Sequence, residues 1–190
     1  MRVHFARHGE SEANLLRAFH NRDSRHPLTA KGRAQAAQLA RRMQAEGVTA
    51  IHASPIARAQ ETAVIVGEAL GLPIVTEHGL RECDVGVIEG QTYEQAFDAY
   101  QRVKDAWLAG RLDARFEDGE SASEIVARIA GILDRLRATA GDGASVLLVG
   151  HGDAMSIALR HLVVGLATPA TLGHCESVAA ELKGQVFVAR

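Results

Sequence analysis

Two histidines in this chain each stand just past an apolar segment and just before a glycine. Arg7-His8-Gly9-Glu10 follows Val3 and Phe5, and His151-Gly152 follows Val146-Leu147-Leu148-Val149-Gly150. A histidine so placed can serve as a nucleophile, as an acid or base, or as a metal ligand. The arginine beside His8 offers a rigid fork of donors shaped for phosphate or carboxylate. The pairing points to an anionic substrate. Arg58 follows Ser54-Pro55, where a serine N-cap and a proline at the first helical position predict a helix over residues 56–70. A cation in the first turn opposes the helix dipole, so Arg58 is poorly placed for helix stability and well placed for a bound phosphate. Glu82 lies in a glycine-broken loop, residues 80–86, where carboxylates crowd.

Bringing these groups together requires strands that end where the histidines begin. Residues 1–6 and 146–149 have the β-branched and aromatic character of strands. In open α/β sheets ligands bind at the carboxyl ends of strands, so both histidines are expected at one sheet edge. After Asn14 an irregular segment is expected, with Asn21, Asp23, Ser24 and Pro27 as turn formers. Thr29 predicts the N-cap of a helix that buries Ala34, Leu39 and Met43 and ends at Gly47. Residues 48–53 form a second strand candidate, Gly71 closes the helix begun at Pro55, and residues 72–76 read as a short edge strand.

Residues 91–119 hold Tyr93, Phe97, Tyr100, Trp107 and Phe116, five of the chain's eight aromatics. They are read as a mostly helical insertion covering the site, against the plainer alternative that aromatics at helical spacing are core. Ser121 or Ser123 caps the next helix, whose apolar face carries Ile125, Ile129, Ile132, Leu133 and Leu136. A helix over residues 153–164 and strands over 177–182 and 185–189, joined at Lys183-Gly184, complete the chain. This alternation predicts one domain over residues 1–190: a three-layer α/β/α architecture with a mainly parallel sheet and an antiparallel C-terminal element.

Composition narrows the function classes. The net charge of −2 and pI near 6.5 give no reason to expect nucleic acid or a membrane surface as partner. No apolar run suits a signal peptide or a membrane span, so a soluble, cytoplasmic protein is expected. Cys83 and Cys175 are too few for a disulfide scaffold and are read as buried thiols. Arg17, Arg22, Arg25, Lys31 and Arg33 against Asp23 form a basic stretch, either drawing anions to the site or merely solvated. His4, His52, His78 and His161 are assigned to surface or structural roles.

Arg7-His8-Gly9-Glu10, the second His-Gly pair, Arg58 and Leu80-Arg81-Glu82 together resemble the histidine phosphatase superfamily, the phosphoglycerate-mutase-like proteins, over most of the chain. The resemblance implies that His8 is a nucleophile forming a phosphohistidine, with its other ring nitrogen bonded to a carbonyl near Gly9. It further implies that Arg7, Arg58 and His151 hold the phosphoryl oxygens and that Glu82 is the general acid. Asn14 and Gly152 match positions near the phosphoryl group. His20 and Asn21 match the next substrate contacts, although Asp23-Ser24-Arg25-His26-Pro27 departs from the usual spacing. No metal or other cofactor is implied. The expected partner is a small phosphorylated metabolite, and a homodimer is left open.

The same site can return a phosphoryl group to a hydroxyl, as a mutase, or pass it to water. His151-Gly152-Asp153-Ala154 departs from the His-Gly-Asn-Ser of the family's mutases, and the chain is shorter than they are. Both departures favour a phosphatase. A phosphoglycerate mutase is the nearest rival, a protein phosphohistidine phosphatase a more distant one, and a non-catalytic phosphate-binding or metal-binding module the reading from another class.

Overall fold

The computed structural model describes residues 1–22, 25–141, 143–166 and 172–189; Asp23 and Ser24, expected as turn formers, lie outside them. Seven strands form one sheet in the order β3-β2-β4-β1-β6-β7-β5. At its centre β1 (Arg2–Arg7) and β4 (Ser145–Gly150) run parallel, with Arg7 opposite Gly150. β2 (Ala50–Ala53) pairs parallel with β4 and with the edge strand β3 (Ile74–Thr76). On the other side β6 (Ser177–Lys183) runs antiparallel to β1 and forms the expected hairpin with β7 (Val186–Ala189), turning at Gly184 with φ 61°.

The period of two along β1 and β4 explains the layers. Val3, Phe5, Val146 and Leu148 face α5 (Ala122–Thr139) and α6 (Gly152–Leu162). Ala6, Leu147 and Val149 face α2 (Ala30–Ala45) and α3 (Ala57–Leu70). Every β4 residue is buried, as expected of a strand covered by helices on both faces. Full burial of a side chain such as Phe5 or Leu148 contributes about 1.5–3 kcal/mol, so the centre of the sheet is its most strongly determined part. Local signals hold the helix ends where the sequence places them. Thr29 accepts a hydrogen bond from the Gly32 amide, Gly71 closes α3 in the left-handed conformation, and Ser121 forms a capping box with Glu124.

Four local expectations are corrected. Ala34, expected on the buried face of α2, is exposed, and Ala36 and Ala40 pack there with Leu39 and Met43. The irregular segment expected after Asn14 starts later, because residues 15 and 16 complete the short helix α1 (Glu12–Leu16), started by a box between Ser11 and Asn14. The helix expected to reach 164 stops at Leu162, because Val163 and Val164 form a short strand, β5, parallel to β7. Ser54 does not cap α3, whose N-cap is Ile56 without a side-chain bond. Helix α4 (Tyr93–Leu108) contributes Ala96, Val103 and Trp107 to the third apolar cluster, where they join Phe19, Cys83, Phe116, Ile125 and Ile129. Among the described residues no helix is long and apolar enough to cross a membrane.

Candidate active site

Both histidines sit where their strands end, and the main chain locks them together: the His8 amide donates to the Gly150 carbonyl at 3.0 Å. The rings lie edge to face with centroids 5.1 Å apart. Gly9 is required by packing, since a Cβ there would lie 2.5 Å from the Gly32 carbonyl oxygen at the start of α2. Glu10, the fourth residue of the motif, turns away from the site. Its carboxylate accepts from Thr29 and Lys31, each at 2.9 Å, and ties the loop to α2.

The hydrogen bonds of His8 define its chemistry. Nδ1 lies 2.6 Å from the Gly9 carbonyl, which can only accept, so Nδ1 carries the proton. Nε2 is then a lone pair, and it accepts from Arg58 Nε at 3.1 Å. Burial, followed by the charge of Arg58, holds the imidazole well below its ordinary pKa. Arg58 is itself buried and held in the first turn of α3, and Thr62, one turn on, donates to the Arg58 carbonyl and accepts from the Gly9 amide. His151 has the opposite arrangement: Nε2 lies 2.7 Å from Ser54 Oγ, which also accepts from the Ile56 amide at 3.3 Å. The Ser54 hydroxyl is thus free to donate to Nε2, leaving the proton of His151 on Nδ1.

Arg7 Nε, Arg58 Nη1 and His151 Nδ1 are buried and have no hydrogen-bond partner within the protein. Buried donors are ordinarily paired, so three unpaired ones around a single imidazole mark a place built for an acceptor. Arg7 is oriented by its Nη1 bond to the Leu172 carbonyl at 2.9 Å. Gly152 lies flat against it: a Cβ there would sit 3.3 Å from the guanidinium. Arg7, His8, Arg58 and Gly152 line a cavity of about 420 Å³, and Glu82 lines it too. Glu82 Oε1 accepts from the amides of Cys83 at 2.9 Å and Ala154 at 2.8 Å, and Oε2 from that of Asp153 at 3.3 Å. Burial, then the charge of Asp153, raises its pKa against the pull of those amides and of Arg58.

The remaining expected residues divide. Asn14, His20 and Asn21 all line the cavity. Asn14 Oδ1 is committed to capping α1 through Ser11, which leaves its amide group for a ligand. Asn21 donates to the Cys83 carbonyl at 2.8 Å, and His20 packs on His26 with centroids 4.5 Å apart. The aromatic stretch splits between its two readings: Tyr93, Phe97 and Tyr100 line the cavity, whereas Trp107 and Phe116 are core. Of the basic stretch, Arg22, Lys31 and Arg33 are paired with Asp84, Glu10 and Glu61, so their charge is largely answered locally. Arg17 does line the cavity. His4 bonds Ser145 and His52 bonds Glu77, as structural residues would. Cys83 is core, its thiol raised well above its ordinary pKa by burial. Among the described residues no group of acidic, histidine and cysteine side chains could hold a metal ion.

Sequence reasoning missed Ser54, as the partner of His151, and His174, whose ring centroid is 5.9 Å from that of His8. Burial lowers the His174 pKa to about 4. Its one sequence signal is a second Gly-His pair, Gly173-His174, after Gly150-His151.

Comparison with known proteins gives this arrangement a context. The family model of the histidine phosphatase superfamily (branch 1) matches residues 3–183. A probable phosphoglycerate mutase, GpmB, from Enterobacter is 37% identical over 167 residues, spanning 87% of this chain and 76% of the relative. Among solved structures, a mycobacterial glucosyl-3-phosphoglycerate phosphatase superposes with a TM-score of 0.83 at 25% identity, covering 100% of this chain and 96% of the other. YhfR of Bacillus stearothermophilus gives 0.81 at 26% identity, covering 98% and 93%.

Proposed function

The chain belongs to the histidine phosphatase superfamily, and on that premise we propose that it is a metal-independent phosphomonoesterase that hydrolyses a small phosphorylated metabolite through a phosphohistidine on His8. The observation that carries this reading is the set of unpaired buried donors, Arg7 Nε, Arg58 Nη1 and His151 Nδ1, around the lone pair of His8. A phosphoryl group entering there takes over the Arg58 donor that rests on Nε2, and the lone pair becomes free to attack phosphorus. The P–O bond to the leaving group breaks as the new P–N bond forms, and the charge on the equatorial oxygens is met by fixed donors. Glu82 delivers its proton to the departing oxygen. Its Oε2 is the oxygen suited to carry that proton, because Oε1 already accepts two short amide bonds. In the second half Glu82, now ionised, takes a proton from water. The water attacks phosphorus, the P–N bond breaks, and inorganic phosphate and protonated Glu82 are restored.

The test uses Glu82→Gln, which keeps shape but cannot donate a proton. An alkoxide is a poor leaving group and needs that proton; nitrophenolate needs it far less. Hydrolysis of alkyl phosphates, assayed with chelator present, is expected to fall about a hundredfold or more, and hydrolysis of nitrophenyl phosphate much less. Equal losses on the two substrates, with dephosphorylation shown not to limit the rate, would remove Glu82 from this role.

A mutase is the second reading, favoured by the probable phosphoglycerate mutase at 37% identity. A phosphatase is supported by the solved phosphatase that matches this chain over its whole length, and by Asp153 where the family's mutases carry asparagine. Phosphoglycerate interconversion that depends on bisphosphoglycerate priming and outpaces phosphate release would decide for the mutase.

A further inference from the structure

Glu82 does not meet the cavity alone. Asp153, in the first turn of α6, gives Glu82 Oε2 its main-chain N–H at 3.3 Å, while its carboxylate turns toward α4. There it accepts from the Tyr100 hydroxyl and from Lys104 Nζ, the latter at 2.7 Å. The Lys104 and Asp153 side chains are only 17% and 15% exposed, so solvent screens this pair much less than it does a surface pair. An aspartate in the first turn of a helix is already favoured by the helix dipole. Two donors from a different helix are more than that position requires, and they fix where the carboxylate's charge lies relative to Glu82.

The other charges around Glu82 are accounted for. Arg58 from α3, Arg7 from β1 and Arg17 just past α1 are the arginines lining the cavity, and Arg128 of α5 donates to the Glu82 carbonyl at 3.3 Å. Glu120 is held between Arg81 and Arg128, so its charge is answered. Tyr93, Tyr100 and Cys83 face Glu82 as neutral groups, their ionisation opposed first by burial, and His8 and His151 are neutral for the same reason. Asp153 is therefore the anion placed to discourage a second negative charge on Glu82, and Lys104 sets how strongly it does so.

Resting on the reading of Glu82 as the acid, we propose that Asp153 is the positioning residue of that acid. Its carboxylate, anchored by Tyr100 and Lys104 of α4, keeps the proton on Glu82, and its amide orients the oxygen that carries it. The arrangement joins the helix over the cavity to the proton-transfer step, since Tyr100 both lines the cavity and holds Asp153.

The experiment is the pH dependence of kcat/KM on an alkyl phosphate for the unaltered protein, Asp153→Asn, Lys104→Met and Glu82→Gln. The alkaline limb of the unaltered protein reports loss of the acid's proton. Asp153→Asn removes the like charge and is expected to move that limb about one pH unit to lower pH. Lys104→Met leaves the Asp153 charge uncountered and is expected to move it the other way. A purely structural role would not produce opposite shifts. The proposal is overturned if the limb stays in place in both variants or moves the same way in both, while Glu82→Gln lacks it. If Glu82→Gln retains the limb, the reading of Glu82 as the acid fails and takes the proposal with it. Should Asp153→Asn fail to fold, the Lys104→Met shift decides alone, upward supporting the proposal and none overturning it.

Discussion

The ends of β1 and β4 are written almost identically, each an apolar strand followed by histidine and glycine, yet the protein holds the two imidazoles by opposite nitrogens. At the end of β1 a carbonyl takes the Nδ1 proton of His8, and Nε2 is left as a lone pair. At the end of β4 a hydroxyl meets Nε2 of His151, and Nδ1 is left as a donor. The difference lies entirely in the partner: a carbonyl accepts only, while a serine hydroxyl can also donate. One dipeptide thus yields a lone pair and a free donor on rings 5.1 Å apart, centre to centre.

This comparison can be broken at either end. The largest effect is expected from His8→Ala, which removes the lone pair and should lower kcat by several orders of magnitude; near-normal turnover would mean that the wrong end has been taken as the nucleophile. His151→Ala removes one phosphoryl donor and leaves the nucleophile, so a loss of about a hundredfold to a thousandfold in kcat is expected, with a phosphohistidine still trapped on rapid quenching. Ser54→Ala leaves His151 present but unoriented. A lost hydrogen bond of about 1 kcal/mol corresponds to a fivefold to tenfold fall in kcat, and an unchanged kcat would show that the tautomer does not depend on Ser54.

The smallest effect concerns what the two ends share, which is burial. His8, His151 and His174 all have folded-state pKa values below the ordinary 6.5, that of His174 at about 4. Below pH 6.5 the unfolded chain binds protons that the folded chain refuses. Stability is therefore complete above that pH and is lost as pH falls toward the folded-state values. Thermal melting should show Tm declining from pH 6.5 to pH 4, with a shallower decline in His174→Gln. A Tm that rises over this range would contradict the assignment of neutral, buried imidazoles.

Much of the layout is legible in the sequence because its signals are local or periodic. Alternating apolar residues mark β1, a continuous apolar run marks β4, Thr29 and Gly71 mark helix ends, and the glycines after the histidines mark the sheet edge. Ser54 is instructive because its local signal misleads: next to Pro55 it reads as a helix cap, but the approach of β4 brings His151 to it, and a bond to a buried imidazole takes precedence. Likewise the five aromatics of residues 91–119 share one stretch, but only packing separates Tyr93, Phe97 and Tyr100 at the cavity from Trp107 and Phe116 in the core.

The sequence by itself determined which chemistry is available and roughly where, because residue type sets donor, acceptor and charge, and the periods of strand and helix set the edge at which they gather. Only the tertiary structure decided which nitrogen of each histidine the protein engages, that His174 joins His8, and that Asp153 stands between Glu82 and α4. Each of these depends on contacts between residues far apart in the chain, as Ser54 with His151 and Lys104 with Asp153 are, and no local pattern encodes such a meeting.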